Sequence, residues 1–145
     1  MRSDVLPDGR HSKVEFTKDW KKDAERRDFT INAIYSDING NLFDPFDGKR
    51  DLEVGKVIFI GKADQRIQED YLRILRYLRF FSMYSKTDHD LNTLKSIKKN
   101  LSGISKISSE RLLDEFKKIT ISGSLEKLCL NLSLIHISEP TRQEA

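Results

Sequence analysis

Glu69-Asp70-Tyr71-Leu72-Arg73-Ile74-Leu75-Arg76-Tyr77-Leu78-Arg79-Phe80 is the stretch on which the reading of this chain turns. Leu72, Leu75, Leu78 and their apolar neighbours recur at helical spacing, which predicts a long helix over 69–84. Asp70 and Arg73 then stand three apart and Glu69 one turn before Arg73, so acid and base are neighbours on one surface. Arg73, Arg76 and Arg79 form a ridge that drifts slowly round the helix. A carboxylate and a guanidinium held side by side present an acceptor and a donor together. Such a pair is able to read an edge that carries an amino group beside a ring-nitrogen acceptor, as adenine and cytosine do. Taken alone, the residues fit an acid-started helix with ordinary ion pairs equally well, each worth roughly a few tenths of a kcal/mol.

A second constellation lies upstream, Arg26-Arg27-Asp28-Phe29-Thr30-Ile31-Asn32-Ala33. Two adjacent guanidiniums offer forks of donors suited to phosphate oxygens. Asp28 and Asn32 add an acceptor and an amide at a spacing that lets both reach one ligand, as a ribose hydroxyl beside a triphosphate would require. Without further context this too is an ordinary basic patch with a turn-forming Asp.

Around these two segments the chain divides into an α/β piece and a helical piece. Residues 1–16 read as a β-hairpin turning at Pro7-Asp8-Gly9. Thr17 offers an N-cap for a short polar helix through Asp19–Ala24. Phe29–Tyr35 is ambiguous between helix end and strand. Asp37–Asn41 is a hairpin turn with Leu42-Phe43 returning, and Asp44-Pro45-Phe46-Asp47-Gly48 ends the sheet portion. Beyond Gly48 the pattern is helical except for an extended piece at Val57–Ile60. Amphipathic helices follow at Leu91–Leu101 and at 109–121, the latter opened by Ser108 or Ser109 with Glu110 behind it.

The 145 residues suffice for one ordinary domain or two small pieces, and 37% hydrophobic with 34% charged residues argues for a modest core under a charged surface rather than disorder. A net charge of +3 permits a polyanionic partner without requiring one. Cys129 is the only cysteine, which excludes an intrachain disulfide and a zinc cluster. With no secretory leader and no bilayer-spanning apolar run, the chain reads as cytoplasmic, with no membrane partner. Lys95, Lys98, Lys99, Lys106, Lys117 and Lys118 suit an RNA-facing surface or a solvated helix face alike.

In order and together, RRDFTINA, DPFDG, DLEVGKVIFIG and R-x-x-ED-x-LR-x-LR-x-x-RF resemble the bacterial CCA-adding tRNA nucleotidyltransferases and poly(A) polymerases, from about Asp4 to about Thr120. That resemblance implies an α+β fold: the C-terminal part of a nucleotidyltransferase palm over 1–47, then an all-helical neck over 48–131. It implies that Arg27 and Asp28, supported by Arg26 and Asn32, lie beside the sugar and triphosphate. Asp70 and Arg73 would template ATP and CTP by their side chains, with Glu69 orienting Arg73 and with Arg76 and Arg79 facing phosphates. The implied partners are the tRNA 3′ end, ATP and CTP; oligomeric state is not implied. The implied cofactor is Mg²⁺, two ions held by a D-x-D pair on a strand after a Gly-rich turn. The only D-x-D here, Asp88-His89-Asp90, follows the long helix and reads better as a helix start. The metal ligands are therefore expected outside this chain, which alone should be catalytically inert. A poly(A) polymerase, an enzyme adding part of the CCA end, and a non-catalytic RNA-binding module on the same scaffold are the rival expectations. The last stretch, 132–145, resembles translated sequencing-library adapter and is read as a non-native tail.

Overall fold

The computed structural model describes residues 2–4, 14–16 and 19–137, with backbone alone for 2–4, 14–16, 131 and 134–137. Strand β1 (Arg2–Asp4) pairs antiparallel with β2 (Val14–Phe16), Arg2 opposite Phe16 and Asp4 opposite Val14. The expected turn at Pro7-Asp8-Gly9 and the expected cap Thr17 lie outside the described residues. Helix α1 (Trp20–Glu25) is capped instead by Asp19, whose side chain accepts from the amides of Lys21 and Lys22.

The ambiguous Phe29–Tyr35 stretch contains both kinds of structure. Phe29 makes an antiparallel bridge to Phe59, Thr30–Asn32 form a 3-10 turn, and β3 (Tyr35–Ser36) pairs with β4 (Leu42–Phe43). Asp37 closes that hairpin by accepting from the Asn39 and Asn41 amides at 2.9 and 2.8 Å. Asp44 then starts α2 (Gly48–Val54), its carboxylate accepting from the amides of Gly48 and Lys49 at 2.8 Å. Gly48 passes so close to the preceding segment that a Cβ there would lie 2.1 Å from the carbonyl oxygen of Thr30. Thr30 in turn donates its hydroxyl to Asp51 at 2.6 Å. The composition shift near Gly48 thus coincides with a tight clasp between the two pieces.

The helical part comprises α3 (Ala63–Glu69), α4 (Leu72–Tyr84), α5 (Leu91–Asn100), a 3-10 segment (Leu101–Lys106), α6 (Ser109–Ile121) and α7 (Leu125–Ile137). The continuous helix expected over 69–84 is broken at Asp70, which is extended at φ −156° and ψ 105°. Its side chain accepts from the Leu72 amide at 3.2 Å, so the acidic residue read as a helical neighbour of Arg73 starts a helix instead. Tyr71 beside it is held by Gly103, where a Cβ would meet the tyrosine ring at 2.1 Å.

Helix α4 is the centre of the core. Ile74, Tyr77 and Leu78 are almost fully buried against Phe29, Phe59, Ile67, Ile97, Ile119 and Leu128. Phe29 lies 4.8 Å from the ring of Phe59 and 5.4 Å from that of Phe80, so the Arg26–Asn32 segment is pinned to α4 by aromatic packing. Asp90 caps α5 by accepting from the Thr93 amide at 2.9 Å, and Ser108 caps α6, both as the sequence indicates. His89 of the D-x-D stacks on Phe81 and shares a hydrogen bond with the Tyr77 hydroxyl. Leu125–Ile137 form one helix anchored by buried Leu128, so secondary structure passes through residue 132, where the sequence suggests that a foreign tail begins. Among the described residues no helix is long and apolar enough to cross a membrane.

Candidate functional site

The C-terminal end of α1 delivers Arg26 and Arg27, and both rest on a buried carboxylate. Arg26 donates through Nε and Nη2 to Oδ1 of Asp23 at 2.9 and 2.6 Å; Arg27 donates through Nε and Nη2 to Oδ2 at 3.3 and 3.1 Å. The Tyr35 hydroxyl also donates to Oδ2, at 2.8 Å, while Arg27 lies over the Tyr35 ring. Burial pushes the Asp23 carboxyl up, but Tyr35 and the two guanidiniums outweigh it and hold it below the usual carboxylate range. Asp23 escapes notice in a search for ligand-binding residues, although its positions three before Arg26 and four before Arg27 are the helical ion-pair spacing.

Asp28 is fixed from three sides. Its Oδ1 accepts from the Phe29 amide at 2.9 Å and from Asn32 Nδ2 at 3.0 Å, and its Oδ2 accepts from Arg76 Nε at 2.5 Å. The backbone around it is clamped too, since Ile60 N–H donates to the Asp28 carbonyl and Thr30 N–H to that of Ile58. Burial raises the Asp28 carboxyl, and the Arg76 guanidinium, Asn32 and the Phe29 amide more than reverse this.

Arg73 projects from the first turn of α4 into the same region. Its Nη1 donates to the Arg66 carbonyl at 2.7 Å and to Glu69 at 2.8 Å, and its Nη2 to the Arg26 carbonyl at 3.4 Å. Glu69 is shared with Arg66, whose other fork reaches the carbonyl of Arg27. Asp70 does not pair with Arg73; its Oδ2 takes Arg111 Nη2 of α6 at 2.7 Å. Arg111 is the residue that the sequence conceals, because 41 positions separate it from its partner.

These groups surround one open cavity of about 340 Å³, lined by Arg26, Arg27, Asp28, Asn32, Asp70, Leu72, Arg73, Arg76 and Arg111. The two constellations, with residues 34–68 between them in sequence, therefore form a single wall. Five arginines line it against Asp28 and Asp70, with the carboxylates of Asp23 and Glu69 behind them, so the cavity keeps a small excess of positive charge and presents oriented donors to an anion. Glu69 stands behind Arg73 rather than in the lining. Arg79 is elsewhere: its Nε donates to the buried Glu115 of α6 at 2.6 Å, and it ties helices together instead of facing the cavity. Among the described residues no group of three or more His, Cys, Asp or Glu side chains is arranged to hold a metal ion.

Comparison with known proteins gives the geometry a context. A family model described as the poly A polymerase head domain matches residues 1–58, and one described as a probable RNA and SrmB-binding site of polymerase A matches 90–133. CCA tRNA nucleotidyltransferase 1, mitochondrial, of Homo sapiens is 52% identical over 130 residues, which cover 88% of this chain and 30% of that protein. The CCA-adding enzyme of Lactobacillus johnsonii is 43% identical over 114 residues, 79% of this chain and 28% of that one. Among solved structures, the Bacillus stearothermophilus CCA-adding enzyme in complex with CTP superposes with a TM-score of 0.65 at 34% identity, covering 73% of this chain and 27% of the other. A complex of CCA-adding enzyme with ATP superposes with a TM-score of 0.70 at 27% identity over 93% of this chain and 34% of the other. The chain thus spans about a third of the length of the relatives that it matches.

Proposed function

Because the chain belongs to the family of CCA-adding tRNA nucleotidyltransferases and poly(A) polymerases, we propose that its cavity holds ATP or CTP for addition to a tRNA 3′ end. The observation that carries the reading is the convergence of Arg26-Arg27-Asp28 and Asp70–Arg73 on one wall. Arg26 and Arg27 grip the triphosphate, Asp28 and Asn32 take the ribose, and Arg76 adds charge beside the phosphates. Asp70 and Arg73 face the base edge, with Glu69 and the Arg66 carbonyl holding the Arg73 plane in register. The selection is made by protein side chains, since on the Watson–Crick edge adenine and cytosine each present an amino donor beside a ring-nitrogen acceptor, whereas guanine and uracil present a ring N–H there.

In the intact protein, divalent metal such as Mg²⁺ would supply Lewis acidity at the transferring phosphate. The described residues do not fit a metal site: Asp28 and Asp70 are each committed to a guanidinium, and no carboxylate pair stands beside them. Nothing in the binding scheme runs through that metal.

Calorimetric titration of the chain with each of the four nucleoside triphosphates tests the proposal. ATP and CTP should bind at least about tenfold tighter than GTP and UTP, as expected where a polar site leaves groups unpaired with the wrong base. Preference for ATP alone would favour the poly(A) reading, and RNA binding without any nucleotide preference would favour a non-catalytic module.

A further inference from the structure

Beneath the two arginines at the mouth of the cavity lies a carboxylate that does not itself line it. The Asp23 side chain is 1% exposed and accepts from Arg26, Arg27 and Tyr35, with both of its oxygens engaged. We infer that Asp23, seconded by Tyr35, is a positioning residue that aims both guanidiniums at the phosphates, an inference that rests on reading the cavity as a nucleoside triphosphate site.

Adjacent arginines repel each other and sample many rotamers, so a bare pair would have to be ordered by the ligand that it binds. One buried anion grasping the Nε edge of each fork removes that requirement before the ligand arrives. Tyr35 fixes the anion with its hydroxyl and supports Arg27 with its ring, 5.4 Å from the guanidinium carbon. The other aspartate at this end of the cavity is not available for the task, because Asp28 is committed to Phe29, Asn32 and Arg76. The base end is held mainly by other partners, Asp70 by Arg111 and Arg73 by Glu69 and the Arg66 carbonyl, and its one link to this end runs from Arg73 to the backbone carbonyl of Arg26, not to the Arg26 guanidinium that Asp23 holds. Asp23 therefore governs phosphate recognition and leaves base recognition alone.

Titration of the full chain with CTP, CMP and UTP separates the two. Asp23→Asn keeps the shape but turns one oxygen into a donor facing donors. It should lower the preference for CTP over CMP at least about tenfold, the effect of losing one charge-assisted hydrogen bond. Its preference for CTP over UTP should stay within about twofold, as expected for an independent site. A merely architectural role would weaken all three nucleotides alike; that result, or an unchanged CTP-over-CMP ratio, overturns the inference. Tyr35→Phe keeps the ring and deletes one hydrogen bond, so it should lower the same ratio about threefold. Should Asp23→Asn fail to fold, Tyr35→Phe decides the matter, and an unchanged ratio in it overturns the inference. A wild-type chain that binds CTP no better than CMP would instead overturn the reading of the cavity as a triphosphate site.

Discussion

Burial alone would make Asp28 a poor place for a charge, yet three donors converge on it. Its carboxyl titrates below the value it would have in the unfolded chain, near 3.9. The stabilisation is therefore fully present above about pH 4 and is lost as pH falls through the folded value. Asp28→Asn should destabilise the protein at pH 7 by about 3 kcal/mol, the low end for breaking a buried pair whose cation is partly solvated. It should also flatten the acid limb of a urea-denaturation series; an acid limb unchanged by the substitution would show that other carboxylates set it. In a complete enzyme rebuilt around this segment, Asp70→Ala should reduce discrimination against GTP and UTP by roughly 1.5–3 kcal/mol, the range for a hydrogen bond to a charged group. Arg73→Ala is the less clean variant, because Arg73 also carries the Arg66 and Arg26 carbonyls. Nucleotide competition assays read both, and intact discrimination in Asp70→Ala would remove Asp70 from base recognition. At this scale the sequence is informative about identity and poor about pairing. RRD and Asp70–Arg73 are visible as strings, whereas Arg111 becomes a neighbour of Asp70 only when α6 folds back against α4.

Helix starts were legible where a short polar side chain precedes an amphipathic run, as at Asp90 and Ser108. The break at Asp70 was not, because apolar spacing continues across it and only the capping of Leu72 by Asp70 and the packing of Tyr71 on Gly103 interrupt the helix. Arg79 misled for the same reason: periodicity placed it on a basic ridge, and Glu115 on a distant helix draws it aside. Two substitutions probe the elements directly. Ile74→Ala, in the fully buried centre of α4, should lower stability by about 3 kcal/mol, as core truncations do. Gly48→Ala should lower it by about 2 kcal/mol or more, because the new methyl meets the Thr30 backbone, which cannot step aside without loosening the Asp51 contact. Gly40→Ala is the control: its φ of +84° imposes strain of about 1–2 kcal/mol, but nothing lies within 4 Å. If chemical denaturation ranks Gly48→Ala no worse than Gly40→Ala, the clasp at Gly48 does not hold the two pieces together.

For the molecule as a whole, the C-terminal helix separates anchorage from mere continuation. Leu128 is buried against the core, while Leu130 and Leu132 face outward. Deleting 132–145 should shorten the helical signal in circular dichroism but leave the unfolding free energy within about 0.5 kcal/mol, as surface changes do. Deleting from 125 onward should cost about 2–4 kcal/mol through loss of Leu128. Equal losses from both truncations would show that the segment after 131 is part of the core. The cavity itself is drawn from distant parts of the chain, with Asp28 reaching 48 positions to Arg76 and Asp70 reaching 41 to Arg111. Ribosomes release a protein from its first residue onward, and folding units form as they emerge. Both partners of the Asp28–Arg76 pair are therefore present as soon as α4 has left the ribosome. Asp70 meets its cation only after α5 and the first turn of α6 have followed. A nascent chain paused between α5 and α6 would thus have exposed Asp28 together with Arg76 but Asp70 without Arg111, so the order of translation is also the order in which the paired groups of the cavity become available to one another.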